Sequence, residues 1–142
     1  MELRPKAIRK SILCFIPYYL PGHRSGGPVR TISNLVDHLA DDFDFLIITS
    51  DRDINDTNAY SQITVNTWNS VGRSLVFYAT PGELNLFNLA RLIRNTPHDL
   101  LYLNSFFSVK FTFIPLLGRL FGIAPAKPCV IAPRGEFSKG AV

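Results

Sequence analysis

Apolar residues fall along this chain in two rhythms. Short runs without a polar interruption stand at residues 12–16, 75–79 and 128–132, and mostly apolar runs at 43–49 and 99–103. Runs of that length without alternation are expected of strands covered on both faces, as in a parallel sheet. Between them the period changes. Val29, Ile32, Leu35, Val36 and Leu39 share one face of a helix predicted over 27–40. Leu86, Leu89, Ala90 and Ile93 do the same in a helix predicted to start at Pro81-Gly82-Glu83, to run to Arg94 and to end at Thr96-Pro97. A third helix is predicted over 107–121, kinked or broken near Pro115 and ended by Gly122. Residues 63–68 alternate at period two before a turn at 69–73, which predicts a small β excursion ahead of the strand at 75–79.

Strands alternating with helices predict an α/β fold, a Rossmann-like parallel β-sheet with helices on both faces. Residues 1–11 read as a polar, flexible lead-in and 12–142 as a single domain. The composition agrees: 142 residues, 46% hydrophobic and 18% charged, are enough for one well-filled core. The net charge of +4 is spread along the chain. No dense basic face or arm is visible, so nucleic acid is not an expected partner. An anionic substrate or an anionic membrane surface suits the charge equally well. Cys14 and Cys129 each lie in an apolar run, as reduced thiols buried in a cytoplasmic protein would. No cysteine or histidine cluster has metal-ligand spacing, and no metal is expected. Asp51, Asp53 and Asp56 are spaced like calcium-loop ligands, but the glycine and distal glutamate of such a loop are missing. The most apolar helical segment, 111–117, contains Pro115 and lies between Lys110 and Arg119, well short of the roughly 20 apolar residues that span a bilayer.

The candidate chemistry centres on Ser25-Gly26-Gly27-Pro28, between the first apolar run and the first helix. A strand, a glycine turn and a helix place free backbone N–H groups at the positive end of a helix dipole, a site for an anion. Gly26 and Gly27 would let a ligand approach the backbone with no Cβ in the way. Pro28 suits the first helical position, where a missing N–H is no loss. The stretch is neither a P-loop nor a Gly-x-Gly-x-x-Gly fingerprint, and a turn that needs glycine only for its dihedrals is the competing reading. Asp51 stands where a dinucleotide fold would place a ribose-holding acid. In an open parallel sheet, ligands bind beyond the carboxyl ends of the strands. The loops 17–27, 104–108 and 133–138 all leave such ends, so they are expected to converge.

Two further stretches complete a resemblance. ILCFIPYYLPGHRSGGPVRTISNLVDHL resembles the opening of retaining glycosyltransferases of the GT-B fold, family 4 (group 1). LYLNSFFS and APRGEFSKGAV resemble later loops of a bacterial branch that builds surface polysaccharides. The likeness runs from about Ile12 to Val142. It implies the N-terminal, acceptor-binding half of a two-domain enzyme, without the donor-binding C-terminal domain and its paired glutamates. It implies a nucleotide-sugar as co-substrate, a glycan or lipid-linked acceptor as partner, no cofactor, and a location in the cytoplasm or at the inner face of the membrane. By resemblance, Gly26 and Gly27 would approach the donor diphosphate, and the chain by itself would not transfer sugar. Asn104 takes the place where many relatives have a histidine that touches the donor sugar. An amide can donate or accept a hydrogen bond but cannot carry the proton. Asn104, Ser105, Arg134 and Glu136 are candidate contacts to donor or acceptor sugar, and Arg24, Tyr18 and Tyr19 to acceptor. Arg134 could steady a diphosphate charge or simply pair with Glu136. Phe106, Phe107, Phe111 and Phe113, with Lys110 and Arg119, suit either a helix resting on a membrane surface or one facing the core. The alternative reading of the whole chain is a non-catalytic, Rossmann-like module that binds nucleotide, phosphate or a protein partner.

Overall fold

The computed structural model describes residues 8–105 and 108–133. Six strands form one sheet: β1 (Lys10–Phe15), β2 (Phe43–Ser50), β3 (Trp68–Val71), β4 (Ser74–Ala79), β5 (Leu100–Asn104) and β6 (Cys129–Ala132). Their order across the sheet is β3-β4-β2-β1-β5-β6. All neighbours are parallel except β3, which runs antiparallel to β4 at one edge. From β1 the chain builds outward through β2 to β4, then returns to the other side of β1 for β5 and β6. The order therefore reverses at the β1/β5 boundary, where a crevice opens beyond the strand ends. This is a generic Rossmann-like α/β topology.

The uninterrupted apolar run of β1 is explained by what covers it. Ile12, Cys14 and Ile16 enter one core with Phe45 and Ile47 of β2 and with Val29, Ile32 and Val36 of α1 (Gly27–Leu39). Leu13 and Phe15 enter the other core, with Leu89 and Ile93 of α2 (Leu86–Asn95) and Phe111. Successive side chains thus serve opposite faces, and both faces are dry. Gly118 of α3 (Ile114–Leu120) lets α3 approach α2: a Cβ there would lie 3.1 Å from Ala90 Cβ.

Several predicted boundaries move, each for a local reason. The alternating segment 63–67 is not a strand. Its backbone wraps the amide of Asn69, whose Oδ1 accepts from Thr64 N at 2.9 Å and whose Nδ2 donates to Thr64 O at 2.8 Å. The strand starts at Trp68, the last residue of the alternation, and runs into the predicted turn, with Trp68 packed edge-on to Phe77 and a tight Gly72-Arg73 reversal, Gly72 at φ 56°. Pro81–Glu83 is a separate 3-10 turn, and α2 starts only at Leu86, because the Asn85 side chain caps it by accepting from Asn88 N. The third helix is not broken at its proline: helical dihedrals run unbroken through Phe113 and Ile114, and only the winding changes there. A single π-turn, Val109–Phe113, precedes α3, and Pro115 sits in the first turn of α3, where its absent N–H is tolerated. Helix α1 begins at Gly27, so Pro28 is its second residue rather than its first.

Candidate functional site

Two cavities lie beyond the carboxyl ends of the strands and share Pro17 and Tyr18 as a wall. The smaller, about 260 Å3, sits at the β1/β5 reversal. Ser25 and Pro28 at the start of α1 form one side, and Asn104 and Ser105 at the end of β5 the other. Gly26 takes φ 62° and ψ −105°, a conformation open essentially only to glycine, and it has no side chain to satisfy the N–H groups of the first turn of α1. A Cβ on Gly26 or Gly27 would meet nothing within 4 Å. The space beside both glycines is thus open; the cavity itself is lined by their neighbours Ser25 and Pro28 and not by the glycines.

Asn104 is 1% exposed, and its Nδ2 donates to Cys14 Sγ at 3.2 Å. Ser105 has φ 126°, a strained value for a residue with a side chain. It is held there from two sides: its N–H donates to Ala132 O at 3.0 Å, and its carbonyl accepts from the buried Thr112 hydroxyl. Backbone strain enforced in this way clusters at ligand sites. Asn104 also pairs with Ala132 at the end of β6, so the chain leaves β6 at this same rim. Arg134 and Glu136 lie outside the described residues, as do Phe106 and Phe107.

The larger cavity, about 390 Å3, lies between the loop after β2 and the π-turn. Its acidic side chains are already engaged. Asp51 is 1% exposed and accepts from Arg52 Nε at 2.7 Å and Nη2 at 3.1 Å, a buried ion pair rather than an acid open to a ribose. Asp56 pairs with Arg24 at 2.6 Å, and Arg24 also donates to Ile54 O at 2.7 Å. Arg24 is therefore tied to the 51–56 loop. Asp53, 4% exposed, accepts from the backbone N–H groups of His23, Arg24 and Ile54. Burial works against its charge, yet those three donors and the Arg24 guanidinium outweigh burial and hold its carboxyl below the ordinary value. The calcium-like spacing of these aspartates thus serves to fasten a loop. Among the described residues no group of three or more His, Cys, Asp and Glu side chains is placed to hold a metal ion.

Tyr18 is half-buried between the two cavities, whereas Tyr19 is a core residue, 2% exposed and packed under α1. Burial raises the Tyr19 hydroxyl far above its usual pKa, so it stays protonated. Phe111 is also core, edge-on to Phe15 at 6.5 Å. The outer side of 109–121 instead presents Val109, Phe113, Leu117, Leu120 and Phe121 to solvent. Cys14 is buried and Cys129 half-buried.

No protein-family model, no curated protein and no solved structure matches this chain. The fold and the rim described above are the grounds on which function can be argued. Among the described residues no helix is long and apolar enough to cross a membrane.

Sequence reading missed three parts of the rim: the fastening role of Asp53, the strain at Ser105 and the hydroxyl of Thr112 behind it. Only Asp53 left a trace, as one of several acids just past a strand. The other two depend on tertiary contacts that no local pattern encodes.

Proposed function

We propose that this chain is the acceptor-side domain of a glycosyltransferase that moves a sugar from a nucleotide-sugar to a glycan or lipid-linked acceptor, in surface polysaccharide synthesis. The observation that carries the proposal is the small cavity at the strand-order reversal, with the uncapped start of α1 on one side and Asn104 and Ser105 on the other. A diphosphate fits such a helix start electrostatically, and the opposite wall carries the Ser105 hydroxyl for a sugar hydroxyl, with the buried Asn104 amide beside it. The resemblance of the glycine loop and of the 101–108 and 132–142 stretches to family 4 enzymes supports the same assignment. In this proposal the donor's base and most of its sugar are held by a second domain. The larger cavity, with Lys110 at its edge, faces the acceptor. The exposed apolar side of 109–121 offers a place for the lipid of a membrane-borne acceptor.

A non-catalytic nucleotide module is the second reading. It is disfavoured by Asp51, which is 1% exposed and paired with Arg52. Amide NMR titrations of the chain with UDP, GDP and their sugars separate the two. The glycosyltransferase reading expects weak shifts at Gly26, Gly27, Asn104 and Ser105 driven by the diphosphate, and sugar transfer only when a donor domain is supplied. Micromolar binding that depends on the base, with no transfer in either setting, would establish the nucleotide module instead.

A further inference from the structure

A third cavity, of about 500 Å3, lies at the other end of the sheet, where β1 and β5 begin and just before β6. The charged groups around it are Arg9, Arg94, Asp99 and Lys127. Two of these are committed elsewhere. Arg9 pairs with Asp44 at 2.9 Å and donates to Ala40 O, and Asp99 accepts from Ser11 N at 2.8 Å with Lys10 3.9 Å away. Arg94, in the last turn of α2, and Lys127 are exposed, and neither side chain has a hydrogen-bond or ion-pair partner among the described residues. The carboxyl end of α2 brings a partial negative charge to this rim, which Arg94 offsets.

His98 belongs to the same lining but is 6% exposed. Its Nδ1 lies 2.8 Å from Thr96 O. A carbonyl can only accept, so Nδ1 carries a proton, and in the neutral ring Nε2 is then the acceptor. That Nε2 is enclosed and has no partner. Buried polar atoms are nearly always satisfied, so an enclosed acceptor beside two uncommitted cations calls for an occupant that brings both a donor proton and negative charge.

We propose that this cavity binds a protonated phosphate group. Arg94 and Lys127 neutralise its charge, and its P–OH donates to His98 Nε2. Nε2 is enclosed, so binding requires the lining side chains to part; the Arg94 and Lys127 side chains have no hydrogen bond to another described residue to give up. Sulfate has the same size and charge as the phosphate dianion but has no proton to give at neutral pH. It therefore leaves Nε2 unsatisfied. The site is at the opposite end of the strands from the glycine turn, and the inference stands or falls independently of the sugar-transfer proposal.

The test is a titration of the chain with inorganic phosphate and, at matched ionic strength, with sulfate, read by the 15N resonances of the His98 ring and by calorimetry. Saturable phosphate binding with a shift at His98 Nε2 is expected, with sulfate weaker by about tenfold or more. The surface double variant Arg94→Ala/Lys127→Ala should lose about tenfold or more of the phosphate affinity while its fold is unchanged. His98→Asn keeps an N–H for Thr96 O but removes Nε2, and it should abolish the preference for phosphate over sulfate. Absence of saturable binding, equal affinity for sulfate, or an unaffected double variant would each overturn the proposal.

Discussion

The carboxylate of Asp53 accepts a hydrogen bond from the backbone of His23, 3.0 Å away and thirty positions earlier in the chain. This contact fastens the loop that leads into the glycine turn onto the loop that follows β2. Arg24 N, 3.3 Å from the same oxygen, strengthens the link. Asp53→Asn removes the charge and leaves one amide oxygen to serve three donors. It is expected to destabilise the fold by about 1–3 kcal/mol in urea titrations.

The same carboxyl gives a pH dependence with a definite sign. Its pKa in the folded chain is lowered, so its contribution is fully present above the unfolded-state value near 3.9 and is lost as pH falls through the folded-state value. Stability measured from pH 7 down to pH 3 should therefore fall more steeply for the natural chain than for Asp53→Asn. Parallel curves would mean that the buried carboxylate gains nothing from its donors.

Gly22 is required by contact rather than by dihedral. A Cβ there would lie 2.2 Å from Tyr60 Oη, 3.0 Å from Tyr19 O and 3.1 Å from Asp53 Cγ. The tyrosine hydroxyl is the end of a side chain and can give way; the carbonyl and the fastened aspartate cannot. Gly22→Ala should lower Tm by on the order of 3–10 °C. Adding Tyr60→Phe should restore part of the loss, and full loss in the double variant would place the obstruction at the backbone.

The paired glycines should respond differently to alanine. Gly26 sits at φ 62°, so Gly26→Ala strains the backbone by about 1–3 kcal/mol although space is available. Gly27 has helical dihedrals and open space, so Gly27→Ala should be neutral or stabilising by up to about 1 kcal/mol. Denaturation midpoints decide the stability claim. In the sugar-transfer proposal, Gly27→Ala should still weaken diphosphate-driven NMR shifts, because the new methyl group occupies the approach.

Ser105 offers the converse. Its φ of 126° is one that glycine adopts freely, so Ser105→Gly should raise stability by on the order of 1 kcal/mol. A lower denaturation midpoint would mean that the serine conformation carries no strain.

The sheet was legible in the sequence because runs such as 12–16 and 75–79 are apolar without relief, as strands covered on both faces are; the like run 128–132 is half-exposed among the described residues, with Val130 48% exposed. Helix α1 was legible from Val29, Ile32 and Val36 at helical spacing before an acidic end. The edge strand lies later than the alternation at 63–68 predicts. The amide of Asn69, a single side chain, organises that backbone instead. At the rim, the meeting of the glycine turn with Asn104 followed from topology. Its finer shape did not, since Asp53, Thr112 and Ser105 act through contacts made far along the chain.

Strand β1 raises one last point. A strand that is oily on both sides carries no label to mark which residue belongs opposite which, so a slip of one position would meet only differences in shape. Its alignment is therefore pinned at the ends. Ser11 and Asp99 exchange two hydrogen bonds at the entrance, and the carbonyl of Pro17 receives both the N–H and the hydroxyl of Ser50 at the exit. The spacing between the glycine turn and Asn104 is thus fixed by a few polar atoms at the two mouths of an otherwise featureless strand.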